Sequence, residues 1–169
     1  EANAIYAGII VDTNNFTNKA GVRTFEAAAF IRRSGADIVK VRKLLRDDMN
    51  EYKARAEAVR HAEVYRDSFA LAVCPSANLE SPTIVGAQAA NELLNINGVK
   101  ASIVFTYFNN EVYLSARSID EVNVQLIMEK LGGGGHMTIA GAQLKDISIE
   151  DAIELVKKTL DSMIEEGEI

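Results

Sequence analysis

The 169-residue sequence predicts an α/β fold: a small mixed β-sheet flanked by helices, preceded by mostly helical sequence. Three observations predict it. Val124, Ile127, Met128 and Leu131 fall at i, i+3, i+4 and i+7, the spacing of an amphipathic helix. Residues 99–108 and 111–118 read as two strands around Asn109-Asn110, a two-residue turn whose side chains tolerate positive φ. From Asp67 onward strand and helix patterns alternate, as in an α/β domain. The composition, 48% apolar and 25% charged, is that of a globular protein. No apolar run approaches the roughly 18 residues of a membrane span.

Taken in order, residues 1–13 carry Ile5, Ile9 and Val11 with no capping signal ahead of them. This is expected of an element continued from a larger unit. The run ends at Asp12-Thr13-Asn14-Asn15-Phe16. Asp12 reads either as a cap or turn residue or as a metal ligand held at the end of a rigid element. Thr24 is the expected cap of a helix running to about Ser34, with Phe25, Ala28, Ala29 and Ile31 as its apolar face. A long, charge-rich helical region is expected from Asp37 to about Arg66. Its second half is polar, and Glu51 with Arg55 gives i,i+4 support to an exposed connector helix. His61 lies there with no candidate ligand beside it and reads as a surface residue.

Phe69–Cys74 is a short apolar strand stopped by Pro75, and Cys74 reads as a small buried hydrophobe. Pro82 opens a helix with Ile84, Val85, Ala89, Leu93 and Leu94 on its core face. In the strand over 111–118, Val112, Leu114 and Ala116 share one face, and Tyr113, Ser115 and Arg117 share the other. Arg117 is either an exposed salt-bridging residue or a ligand contact. Asn123 is placed to cap the 124–131 helix or to meet a ligand. Ser148 caps a last helix whose stripe is Ile153, Val156, Leu160, Met163 and Ile164.

Between the 124–131 helix and the apolar segment ending at Leu144 stands Gly132-Gly133-Gly134-Gly135-His136. Consecutive glycines free the backbone for positive φ and for close approach to a ligand. Their successive N–H groups can form an anion nest, and His136 adds a ring that donates or accepts. The other reading is a flexible linker, against which the two core-like flanks argue.

Charge is uneven. Residues 1–66 hold 12 of the 18 Lys and Arg and 9 of the 24 Asp and Glu, so the acidic excess lies after them. Without a basic stripe there, binding to duplex nucleic acid is not expected, whereas a small phosphorylated ligand needs only a local cation. A single cysteine excludes an internal disulfide and fits a reducing, cytoplasmic location.

Three stretches coincide in one resemblance. GIIVDTNNF at 8–16, SARS at 115–118 and EVNVQLIMEKLGGGGHMTIAGAQL at 121–144 resemble the DHH phosphoesterase superfamily. The first is similar to its last metal-binding motif, the others to the DHH-associated domain with its GGGH signature. The wording is most similar to the GdpP-type phosphodiesterases, which cleave cyclic di-AMP to linear pApA with two manganese (Mn2+) ions. The resemblance implies that 1–45 is the C-terminal remnant of a DHH metal-binding domain, 46–66 a helical connector, and 67–169 the DHH-associated nucleotide-binding domain. It implies that Asp12 is one metal ligand. It also implies that Ser115, Arg117, Asn123, Gly133, Gly134, Gly135 and His136 contact a short adenine nucleotide, Ser115 the most weakly supported of them. The upstream metal motifs, including the Asp-His-His triplet, are missing from the sequence. The upstream half of the DHH domain is therefore an expected partner, and this chain alone is expected neither to hold the two ions nor to turn over. Intact members of the family are membrane-anchored with a cytoplasmic catalytic module. Two other readings stay open: a DHH-family oligoribonuclease or pAp phosphatase, and a nucleotide-binding module without catalysis.

Overall fold

The computed structural model describes residues 1–169 and divides into two compact units, Glu1–Asp48 and Met49–Ile169. The first is three helices: α1 (Ala2–Asp12), α2 (Val22–Arg33) and α3 (Ile38–Leu44). Thr13 closes α1. Its hydroxyl donates to Ile9 O at 2.6 Å and accepts from Phe16 N at 2.9 Å. The chain then turns through Asn14, Asn15 and Phe16, with φ of 44°, 58° and 65°. Asp37 caps α3 by accepting from Val39 N and Lys40 N, and its own N–H donates to Asn3 Oδ1 at 2.7 Å. Helix α2 starts at Val22, ahead of Thr24. Gly21 is the N-cap, without a side-chain cap bond, and its carbonyl takes the N–H of Thr24 at 2.9 Å, which places Thr24 inside the first turn. Of the apolar face expected for α2, only Ala28 is buried. Phe25 instead stacks on Phe16, with ring centroids 5.1 Å apart.

The second unit holds α4 (Met49–Arg60), β1 (Glu63–Tyr65), β2 (Phe69–Cys74), α5 (Pro82–Leu93), β3 (Ala101–Phe108), β4 (Glu111–Ser118), α6 (Val124–Lys130), β5 (Gly134–Gly135), β6 (Ile139–Lys145) and α7 (Ile149–Glu165). The single helical region expected over 37–66 is thus two helices and a strand. The polar Arg46-Asp47-Asp48 stretch parts the helices, since Asp competes with helical backbone bonding and favours the start of the next helix. Strand β1 escapes sequence reading because Glu63 and Val64 are both exposed, leaving no alternation. It folds back on β2 through Arg66 and Asp67, both at positive φ.

The sheet order is β1-β2-β3-β4-β6-β5. Only β2 and β3 are parallel, as their crossover through α5 requires. One face carries α6 and α7. There Val124, Ile127, Met128, Val156, Leu160 and Met163 pack on Ile103, Phe105, Val112 and Leu114. The other face carries α4 and α5 over Ala70, Ala72, Cys74 and Val104. Buried Arg55 of α4 pairs with Glu92 of α5 at 2.8 Å and donates to Gln88 Oε1. The buried side of α5 is Val85, Gly86, Ala89, Ala90 and Leu93, with Ile84 exposed. Gly86 belongs to that stripe because a Cβ there would stand 2.3 Å from Thr106 Oγ1. Ser148 caps α7 as expected, accepting from Asp151 N. Its stripe is Ala152, Val156, Leu160 and Met163, with Ile164 outside it.

Candidate nucleotide site

Strand β4 buries Val112, Leu114 and Ala116 under α6 and α7, and holds Tyr113, Ser115 and Arg117 half-buried on the opposite face. Register carries this face across to β6 and β5. Tyr113 pairs with Gln143, Ser115 with Gly141, and Arg117 with Ile139. Gly141 pairs in turn with Gly134. Ile139 exchanges hydrogen bonds with His136, at 2.7 and 3.3 Å. Directly paired residues share a face. Three parallel rows result: Tyr113–Gln143, then Ser115–Gly141–Gly134, then Arg117–Ile139–His136. Successive rows lie about 7 Å apart, and Arg117 and His136 are separated by two strand spacings, roughly 10 Å. The middle row has almost no side-chain bulk. A cleft of ≈ 540 Å³ lies over the first two rows, lined by Tyr113, Ser115, Gly133, Gly141, Gln143 and Lys145, with Thr83 from the first turn of α5.

The glycine run does not form the anion nest expected of it. Gly132, at φ 78°, and Gly133 close α6 by donating to Glu129 O at 3.0 Å and Met128 O at 2.8 Å, the pairing of a Schellman motif. Their N–H groups are therefore committed to the helix end. Gly133 and Gly135 also have packing reasons to be glycine. A Cβ would stand 2.1 Å from Gly141 O at the first and 2.5 Å from Ala140 Cα at the second. Gly134 faces open space. Because His136 and Ile139 form a hydrogen-bonded pair, the neighbouring Gly135–Ala140 pair is of the non-bonded kind. The Gly135 N–H therefore points to the free edge of the sheet and is the run's one open donor beside His136.

Arg117 is held from below. Its Nη1 donates to Ala116 O at 2.8 Å and to Ala140 O at 3.5 Å, and desolvation pulls its pKa below the usual guanidinium range. No carboxylate lies within ion-pair distance of it, so the salt-bridged alternative is not what the fold builds. Asn123 caps α6, with Oδ1 accepting from Gln125 N at 3.1 Å. The Val124 N–H donates to Met137 O at 2.9 Å, which sets Asn123 beside the β5–β6 hairpin. His136 is exposed at the third row. Asp12 is the exposed last residue of α1 in the other unit. His61 is exposed, its Nδ1 lying 3.2 Å from Glu57 Oε1 one helical turn away. Ser115, Arg117, Gly134 and His136 thus come together on one face. Tyr113, Gln143, Lys145 and Thr83 join them, although sequence reasoning did not single them out. Tyr113 was reachable by alternation. Gln143 and Thr83 are brought in by strand register and helix packing.

The DHHA1 domain model matches residues 73–166. The chain belongs to the DHHA1 domain family. The DHHA1 chain is 44% identical to the cyclic-di-AMP phosphodiesterase GdpP of Bacillus subtilis, over 99% of its own length and 26% of that protein. It is 42% identical to the cyclic-di-AMP phosphodiesterase PdeA of Listeria monocytogenes, over 96% of its length and 25% of that protein. It therefore spans about a quarter of these relatives. A shorter match, 41% over 64 residues, is to a bifunctional oligoribonuclease and PAP phosphatase of Thermus thermophilus, covering 36% of this chain and 20% of that protein. Among solved structures, an exopolyphosphatase-related protein from Bacteroides fragilis superposes with a TM-score of 0.83 at 20% identity, over 96% of this chain and 50% of that one. That likeness is one of fold. No helix is long and apolar enough to cross a membrane.

Proposed function

We propose that this chain is the nucleotide-binding part of a metal-dependent phosphodiesterase that hydrolyses cyclic di-AMP to linear pApA. The observation that carries the reading is Arg117: a half-buried guanidinium, steadied by two carbonyls, with no carboxylate to neutralise it. A partly desolvated cation without a counter-charge is costly, and a phosphate oxygen pair matches its fork. The His136 ring stands along the same row, the Gly135 N–H opens at the sheet edge next to it, and Gly134 leaves room for the phosphate to approach. In this reading Ser115 and Asn123 line the path to it. The names of the relatives that match nearly the whole chain supply the substrate.

Manganese is part of the proposal, with a limit. Asp12 is a single exposed carboxylate, and no three His, Cys, Asp or Glu side chains of this chain come together as a metal group. These residues alone do not fit a two-metal centre, so no step is routed through one. Asp12 contributes one ligand, and the upstream part of the longer protein contributes the rest and covers the apolar surface of Glu1–Asp48. That longer protein is membrane-anchored with this part in the cytoplasm. The Thermus relative favours a second reading, an oligoribonuclease or PAP phosphatase with the same phosphate row.

The test is a ligand-observed NMR titration of the chain with pApA, cyclic di-AMP and AMP. Millimolar binding is expected, weakened about tenfold or more in Arg117→Ala. Equal binding by Arg117→Ala and wild type would remove the reading. In the longer protein, cyclic di-AMP turning over faster than linear dinucleotides separates the first reading from the second.

A further inference from the structure

The first row of the site has an internal order that the phosphate row does not explain. Glu111, Tyr113 and Gln143 form a closed network at the start of β4. Gln143 Nε2 donates to Glu111 Oε2 and to the Tyr113 hydroxyl, the latter at 3.2 Å. The Tyr113 hydroxyl in turn donates to Glu111 Oε2 at 3.3 Å. An ionised carboxylate only accepts. It therefore fixes which way round the Gln143 amide stands: both N–H groups face Glu111 and Tyr113, and Oε1 faces away without a donor. Glu111 is held ionised. The Gln143 hydrogen bond foremost, with help from Lys145 at 3.7 Å, keeps its pKa below the usual carboxylate range. Burial, then Glu111, pushes Tyr113 upward, so its hydroxyl keeps its proton. The Tyr113 ring is half-buried and set against Phe108, with centroids 6.4 Å apart. It borders the cleft beside the bare Ser115–Gly141–Gly134 row.

We propose that Tyr113 and Gln143 form a base-recognition subsite for a 6-aminopurine, in which Gln143 Oε1 accepts a hydrogen bond from the exocyclic amine and Glu111 is the positioning residue that keeps that acceptor outward. The proposal rests on the phosphate reading of Arg117. Two row spacings separate Tyr113 from Arg117, about 13 Å of strand, which a nucleotide and the Arg117 side chain span together. The base lies against the Tyr113 ring, since every base has a π-face to stack. Adenine turns an N–H donor towards Gln143 Oε1, and guanine turns the O6 acceptor, so the same oxygen attracts one and repels the other.

The experiment is a chemical-shift titration of the 169-residue chain with AMP and GMP, in wild type, Gln143→Ala, Glu111→Gln and Arg117→Ala. Wild type is expected to prefer AMP by about tenfold. Gln143→Ala is expected to lose most of that preference, with AMP binding weakened and GMP binding kept or strengthened, which also reports an intact fold. In Glu111→Gln the new amide accepts either orientation of Gln143, so the preference falls with the phosphate contacts untouched. Arg117→Ala weakens both ligands and leaves their ratio unchanged. Equal AMP and GMP binding by wild type, or a preference that survives in both Gln143→Ala and Glu111→Gln, overturns the subsite and leaves the Arg117 reading standing. Failure of wild type to bind either nucleotide overturns both.

Discussion

The two units differ most in what they bury. Residues Met49–Ile169 close two cores on either side of one sheet, and Phe105, Ile103, Ile127 and Met128 are fully enclosed there. Residues Glu1–Asp48 bury only Ala7, Ala28, Ala36, Val41 and Thr13, while Val22, Phe30, Val39 and Leu44 stay more than 60% exposed. Both are rich in apolar residues, yet only one uses them as a core. Amphipathic sequence supplies apolar surface, and stability follows only where a second layer covers it.

The largest test of that contrast is a pair of substitutions. Phe105→Ala should destabilise the second unit by about 3–5 kcal/mol, since it removes a fully enclosed ring. Val39→Ala in the first should stay within about 0.5 kcal/mol, because that side chain is already in water. Denaturant unfolding followed by circular dichroism measures both, and similar losses would erase the distinction.

A narrower pair sits inside the glycine run. Gly133→Ala forces a Cβ into Gly141 O and should cost about 1–3 kcal/mol. Gly134→Ala meets open space, so its stability should change by under about 1 kcal/mol, while nucleotide affinity drops as the middle row gains bulk. A thermal melt beside an AMP titration reads both effects. Gly134→Ala binding as well as wild type would mean that the row is not the ligand's floor.

The smallest expected effect is one of pH. Asp161 is held below the usual carboxylate range by Arg66 first and by Tyr65, and Glu111 by Gln143 first. A carboxylate whose folded pKa is depressed adds stability above its ordinary value, and that stability is lost as pH falls through the folded one. Both belong to the second unit, so its melting temperature should decline on acidification below about pH 4. Asp161→Asn should flatten part of that decline. Cys74, pushed up to about 11 by burial, stays a protonated thiol across the same range and contributes nothing to it.

Much of the second unit was legible because its signals are local. Asn109-Asn110, Asn123, Ser148 and Pro82 each act on backbone groups within a few residues, and alternation along β4 needs only the pleat. The first unit and β1 were less legible. Thr24 is not the cap because α2 begins at Val22 and takes Thr24 into its first turn, and Glu63-Val64-Tyr65 lies at an exposed edge with no alternation to read. The site divided along the same line. Ser115 and Arg117 shared a face by period alone, whereas the pairing of Tyr113 with Gln143 depends on a register between residues 30 apart.

By itself, then, the sequence determined most element types of the second unit from β2 onward, the face that β4 offers and the family resemblance, because caps, turns and periodicity are short-range physics. Beyond ending the 124–131 helix, what each glycine does was decided only by the tertiary structure. Gly132 and Gly133 end a helix, Gly132 at positive φ, Gly133 and Gly135 make way for β6, and Gly134 has neither a positive φ nor a neighbour to avoid. Identical residues in one run differ in role because steric contact comes from strands that pair across the fold, and four glycines in a row carry no record of which strand will lie beside them.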